Sequence, residues 1–117
     1  MTISPGNYDI TAYQGTTFSR VFTWKDENEA AVNLTGYTAR MMARTSIDST
    51  SPFITLTTEN GGIALGGAAG TITVTMTATE TAALAVQTGV YDLELITGST
   101  VTRLLQGNLI VSREVTR

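Results

Sequence analysis

The chain has 117 residues, a formal net charge of −3, and no cysteine or histidine. That length suits one domain with a single core, and the missing residue types exclude thiolate and imidazole metal sites, cysteine nucleophiles and histidine acid–base chemistry. Twenty-three threonines against one lysine lean the chain toward sheet and away from a helical bundle.

Residues 1–7 have neither a basic start nor an apolar run, so they read as an N-terminal arm and not as a signal peptide, ahead of a single domain over 8–117. Over 8–12, Tyr8, Ile10 and Ala12 alternate with Asp9 and Thr11, the period of a strand with one buried face. After Gln14-Gly15, residues 16–24 are β-branched and aromatic, with Phe18, Phe22 and Trp24 on one side. Arg20 shares that side. A stack on Phe18 or Trp24 would accommodate it, but a bulge or an edge position is the favoured account. Residues 25–31 carry Lys25, Asp26, Glu27 and Glu29 and read as a solvated connection, without the glycine bend and distal bidentate glutamate of a calcium loop.

Over 37–44, Ala39, Met41 and Ala43 alternate with Thr38, Arg40, Met42 and Arg44. One face therefore sets a thioether between two guanidiniums, residue types enriched at protein interfaces. The competing account leaves Met42 half buried beneath a neighbouring loop. A loop over 45–52 leads to a strand over 53–58, with Ile54 and Leu56 inward, and then to a short strand around Ile63 and Leu65. The glycines of 61–70 have neither the ending of a phosphate loop nor dinucleotide-binding spacing. Residues 71–76 alternate most cleanly, with Ile72, Val74 and Met76 inward.

Thr77 and Glu80 have capping-box spacing at the head of the one helix signal, 77–85, whose Ala83 and Leu84 are expected to plug an open end of the sheet structure. Residues 90–96 set Tyr91, Leu93 and Leu95 opposite Asp92 and Glu94. The turn Thr97-Gly98-Ser99 then makes a hairpin with a long last strand, 101–111, in which Gly107 marks a bulge or bend. About eight short strands and one small helix describe an all-β sandwich or a small barrel.

Asp92 and Glu94, two apart on one strand face, are the best candidates for carboxylate acid–base work. The same spacing is what a solvated outer face requires, so a small carboxylate-dependent hydrolase ranks below a binding role, and no catalytic residue, metal or cofactor is assigned. Scattered arginines and a net negative charge argue against nucleic acid. No segment approaches the length of a membrane-spanning helix.

Gln14-Gly15-Thr16-Thr17-Phe18, Leu34-Thr35-Gly36-Tyr37-Thr38-Ala39-Arg40-Met41, Gly89-Val90-Tyr91-Asp92-Leu93-Glu94-Leu95 and Arg103-Leu104-Leu105-Gln106-Gly107 follow one another in a familiar order. Together with Thr79-Glu80-Thr81-Ala82-Ala83-Leu84 and Val111-Ser112-Arg113-Glu114-Val115-Thr116, the chain resembles small tailed-bacteriophage virion proteins similar to the N-terminal domain of baseplate upper proteins. The resemblance implies an immunoglobulin-like β-sandwich serving as a non-enzymatic virion structural protein, assembled in the host cytoplasm. It implies a tail, neck or baseplate adaptor that binds neighbouring virion subunits or fibres, with a head decoration protein as the alternative. Other virion proteins are the implied partners, with homo-oligomers in a ring or spike.

Candidate contact residues are Arg40, Met42 and Arg44 on one strand face, and Ile3 in the arm, which would add to a neighbour's sheet edge. With Lys25 the one lysine, sheet edges read as little protected. Asn28-Glu29-Ala30-Ala31 departs from the glycine-containing turn common in the resembled proteins, so that loop is expected to have its own shape.

Overall fold

Strict alternation of apolar and polar side chains makes a strand that is buried on one face only, so this chain needs two sheets facing each other to cover what it alternates. The computed structural model describes residues 6–85 and 87–115. These form nine strands: β1 (Gly6–Asn7), β2 (Ile10–Tyr13), β3 (Phe18–Thr23), β4 (Thr38–Arg44), β5 (Ile54–Thr57), β6 (Ile63–Leu65), β7 (Thr71–Met76), β8 (Thr88–Thr97) and β9 (Thr100–Ser112). One short helix, α1 (Ala78–Ala82), lies between β7 and β8. All eight expected strands are present, and β1 is the addition.

The larger sheet runs β1-β9-β8-β4-β5 with β2 also on β9, and the smaller runs β3-β7-β6, which makes a sandwich and not a barrel. β1 and β2 both lie parallel to β9, with Gly6 opposite Leu105 and Ile10 opposite Leu109. The remaining pairings are antiparallel. Ile10, Met41, Leu93, Leu95 and Leu109 from the larger sheet meet Phe18, Ile72, Val74 and Met76 from the smaller, all of them buried. Phe22 is half-buried and takes the ring of Tyr8 edge-on at 5.3 Å.

Four sequence expectations are corrected. The ladder between β3 and β7 is unbroken from Phe18–Met76 to Thr23–Thr71, so no bulge accommodates Arg20. Its edge strand and the Phe18 ring do so instead: the guanidinium lies 4.9 Å from the ring centroid, and Nη1 donates to Ser19 O at 2.9 Å. The irregularity in the last strand falls at Leu104 and not at Gly107. Leu93 faces Leu105 while Glu94 faces Arg103, so Leu104 is the extra residue, and it turns into the core. Gly6 and Asn7 pair with Leu105 and Gln106, so the expected arm of 1–7 gives its last two residues to the sheet. Residues 1–5, Ile3 included, lie outside the described residues.

The fourth correction concerns the helix. The capping box forms as its spacing predicts, with Glu80 N–H donating to Thr77 Oγ1 at 3.1 Å and Thr77 N–H to Glu80 Oε1 at 2.8 Å. The helix spans five residues, shorter than the expected 77–85, and the side chain it buries is Thr81; Leu84, half-buried, packs against the core as expected, while Ala83 is exposed. Thr81 tolerates burial because its hydroxyl donates to Thr16 O at 2.6 Å, tying the helix to the start of β3. Replacing Thr81 with valine keeps the shape and removes that bond. It is expected to cost about 1–2 kcal/mol in denaturant unfolding, and a loss below about 0.3 kcal/mol would show that the helix is not held there.

The connection after β3 is internally braced. Lys25 and Ala31 bridge, Asp26 accepts the N–H groups of Asn28 and Ala30 at 2.9 and 3.0 Å, and Glu29 takes φ 65° in the left-handed region that favours glycine.

Candidate docking face

Because Ala39, Met41 and Ala43 of β4 and Leu93 and Leu95 of β8 point into the core, the residues between them must point out. That places Arg40, Met42 and Arg44 in one row on the outside of the larger sheet, as their spacing predicts, with Asp92 and Glu94 in the adjacent row. The register sets Arg40 directly opposite Glu94 and Met42 opposite Asp92.

Arg40 Nε reaches Glu94 Oε1 at 2.7 Å. Arg103 of β9 sits opposite Glu94 but reaches diagonally to Asp92 Oδ2 at 3.4 Å, a looser pair with both side chains well exposed. Arg44 has neutral partners, donating to Ser49 O at 3.0 Å and to Met42 Sδ at 3.7 Å. The loop that follows is knit by Ser49, whose hydroxyl lies 2.7 Å from Thr45 Oγ1 and accepts Ser46 N–H at 3.1 Å. This loop leaves Ile47 85% exposed at its tip.

Met42, Arg44, Ile47, Val90, Asp92 and Arg103 surround a concavity of about 320 Å³. Met42 is half-buried, as the competing reading expected, and its sulfur accepts from Arg44 Nη2 at 3.7 Å. The face thus combines a flexible apolar floor with guanidiniums at its rim, a mixture able to recognise an aliphatic side chain beside a carboxylate or a backbone carbonyl.

Burial raises the Asp92 carboxyl above the usual aspartate range, and Glu94 adds to the rise, while Arg103, Arg40 and Arg44 pull the other way. A carboxyl that binds its proton more tightly in the folded chain costs stability above its folded pKa, and that cost fades as the pH falls through the folded pKa toward the unfolded value. Asp92→Asn is therefore expected to raise the melting temperature at pH 7 and to lose the advantage on acidification toward the ordinary aspartate range. A gain that grows on acidification would contradict this placement of Asp92.

Glu94 pairs with Arg40 and Asp92 with Arg103, so each residue singled out as an acid–base candidate lies in an ion pair. Among the described residues no group of three His, Cys, Asp or Glu side chains stands close enough to hold a metal. Arg103 and Ile47 were not singled out in the sequence. Ile47 carried a signal all the same, as the lone large apolar residue in the polar stretch 45–51.

No protein-family model matches the chain, and no curated protein matches it in sequence. Among solved structures it is similar to a chicken TCR chain, with TM-score 0.54 and 11% identity over 97% of this chain and 55% of that one. The fold is immunoglobulin-like. At that identity the likeness extends to the fold alone, and this chain spans about half the length of the TCR chain. A chain from photo-crosslinking analyses of multimeric cell-adhesive interactions of VGSC beta subunits is similar at TM-score 0.48 and 11% identity, over 99% of each chain.

Proposed function

We propose that the chain is a non-enzymatic structural module of a tailed-bacteriophage virion. It acts as a tail, neck or baseplate adaptor, assembles as a ring or spike, and docks on neighbouring virion subunits through the face built on Arg40, Met42 and Arg44. The observation that carries the docking role is the concavity on the outside of the larger sheet, where Met42 and Ile47 are flanked by Arg44 and Arg103. Aromatic, methionine and arginine side chains are the types that interfaces concentrate. The virion setting is supported by the ordered motifs of the sequence, and the immunoglobulin-like sandwich agrees with the fold that those motifs imply. In this reading Glu94 holds Arg40 in place, Asp92 holds Arg103, and neither transfers a proton.

Quantitative mass spectrometry of purified particles tests the setting. A few to a few dozen copies per particle are expected, hundreds would mean a head decoration protein, and absence from particles would overturn the virion reading. Ile47→Asp and Met42→Ala test the face. Incorporation is expected to fall at least about tenfold, in line with truncation at an interface centre, while the melting temperature of the Ile47→Asp chain stays at the parental value because Ile47 packs on almost nothing. Normal incorporation of both variants would move the docking site elsewhere.

A further inference from the structure

The smaller sheet has an open edge. Among the described residues β3 has β7 as its one strand neighbour, because the preceding β1 and β2 pair with β9 in the other sheet. Its free groups follow from the ladder. Trp24 N–H donates to Gly70 O at 2.9 Å, one step beyond the last ladder pair, Thr23 opposite Thr71. Antiparallel bonding alternates, so Phe18, Arg20 and Phe22 bond β7, and the N–H and C=O groups of Ser19, Val21 and Thr23 turn to the open side. The Arg20 guanidinium agrees, since the oxygen that it reaches is Ser19 O.

The outer face beside this edge is uncharged. Ser19, Val21 and Thr23 stand opposite Thr75, Thr73 and Thr71, with Ala64 of β6 beyond, and Val21 is 61% exposed. Edges are ordinarily kept apart by lysines, prolines, bulges or an inward charge. β3 itself has Arg20 alone, with Lys25 two residues past its end, and the Arg20 guanidinium folds back over Phe18 of its own chain, so among the described residues the three N–H groups have no cover. Among the described residues a groove of about 540 Å³, lined by Gly6, Val21, Phe22, Trp24, Lys25 and Leu105, separates the edge from β1.

We propose that β3 pairs with β3 of a second copy, antiparallel across a two-fold axis at Val21, joining the two three-stranded sheets into one continuous sheet. In this register the open groups match: Val21 faces Val21, and Ser19 faces Thr23. Arg20 of each copy faces Phe22 of the other, a cation beside an aromatic ring like the contact it already makes with Phe18. A two-fold contact requires a patch complementary to itself, and an uncharged Ser-Val-Thr edge meets that requirement. The pairing does not depend on the virion reading, and it leaves the docking face of the other sheet free. One short strand buries less than the roughly 800 Å² per partner of a stable complex, so the dimer is weak and forms only at high concentration.

The chain has no cysteine, so introduced thiols report contacts without background. Opposed residues in such a pair lie about 5.5 Å apart, within disulfide reach. Under mild oxidation at about 0.1 mM, Val21→Cys is expected to give a disulfide dimer, and Ser19→Cys to cross-link with Thr23→Cys but neither with itself. Ile47→Cys, on the other sheet, stays monomeric. Sedimentation of the unaltered chain should show a monomer–dimer equilibrium. Val21→Pro abolishes it while the fold survives, because the lost N–H bonds nothing among the described residues. A chain that is monomeric up to about 1 mM overturns the proposal. So does cross-linking in a different register, and so does dimerisation that appears only after Arg20→Thr, which would make Arg20 a guard of the edge.

Discussion

Replacing Leu93 with alanine is expected to cost about 2–5 kcal/mol in reversible denaturant unfolding, the range for truncating a fully buried leucine. Leu93 is 0% exposed at the middle of β8, opposite Met41 on one side and Leu105 on the other. Its neighbours belong to two strands fixed in register by their own ladders, so the cavity cannot collapse freely and the cost should fall in the upper part of that range. The next residue, Glu94, points outward, so Glu94→Ala should cost far less, about 1 kcal/mol or under for an ion pair at the surface. A Leu93→Ala loss below about 1 kcal/mol would reverse the facing of β8, and with it the outward position of Asp92 and Glu94.

Gly107→Ala is expected to cost about 2–4 kcal/mol, combining overpacking with lost hydrogen bonds. Gly107 pairs with Tyr91, and the backbone of Tyr8 crosses directly over it: an added Cβ would clash with Tyr8 O and lie 2.9 Å from Tyr8 C and 3.0 Å from Asp9 Oδ1. Around that crossing Tyr8 N–H donates to Gln106 O at 3.0 Å, Asn108 N–H to Asp9 Oδ1 at 3.0 Å, and the Tyr91 hydroxyl to Tyr8 O. Moving Tyr8 to make room weakens all three. Burial, with Asp9 and Tyr8 adding to it, pushes the Tyr91 hydroxyl well above the usual tyrosine range, so it keeps its proton and stays a donor. Hydrogen exchange should therefore quicken at Tyr8 and Asn108 in the variant before it quickens in β7. Uniform quickening, or a loss below about 0.5 kcal/mol, would mean that β9 does not receive this segment closely.

Alternation made the strands and their inward faces legible, from Ile10 and Ala12 through Leu93 and Leu95, because a period of two follows from the pleat alone. Beyond the β8–β9 hairpin, which the turn Thr97-Gly98-Ser99 announced, the sequence could not say which strands are neighbours. Nothing around Ile10 or Thr11 announces a parallel partner at Leu109 and Ile110, and without that pairing β3 does not read as an edge. The glycine at 107 was visible, but its purpose was not, since the crossing of Tyr8 is a long-range fact, and the extra residue at Leu104 carries no sequence mark. The capping box was readable within four residues, whereas the burial of Thr81 depends on Thr16 O across the fold.

The candidate face shows the same division. Arg40, Met42 and Arg44 were readable as a row, while the meeting of that row with Asp92, Glu94 and Arg103 rests on cross-strand register.

The parallel placement of β2 on β9 also sets a schedule for biosynthesis. Asp9 and Asn108, bonded in the finished fold, are separated by 99 positions in the chain. At about 5–20 residues per second, the ribosome takes about 5–20 s to make the stretch between them. Through that interval Ile10 and Ala12 have been synthesised but have no strand to lie against. Closing such a distant contact is slow for reasons of chain entropy, so the opening strands are the part of the nascent chain most dependent on solubility of their own or on a chaperone until β9 emerges.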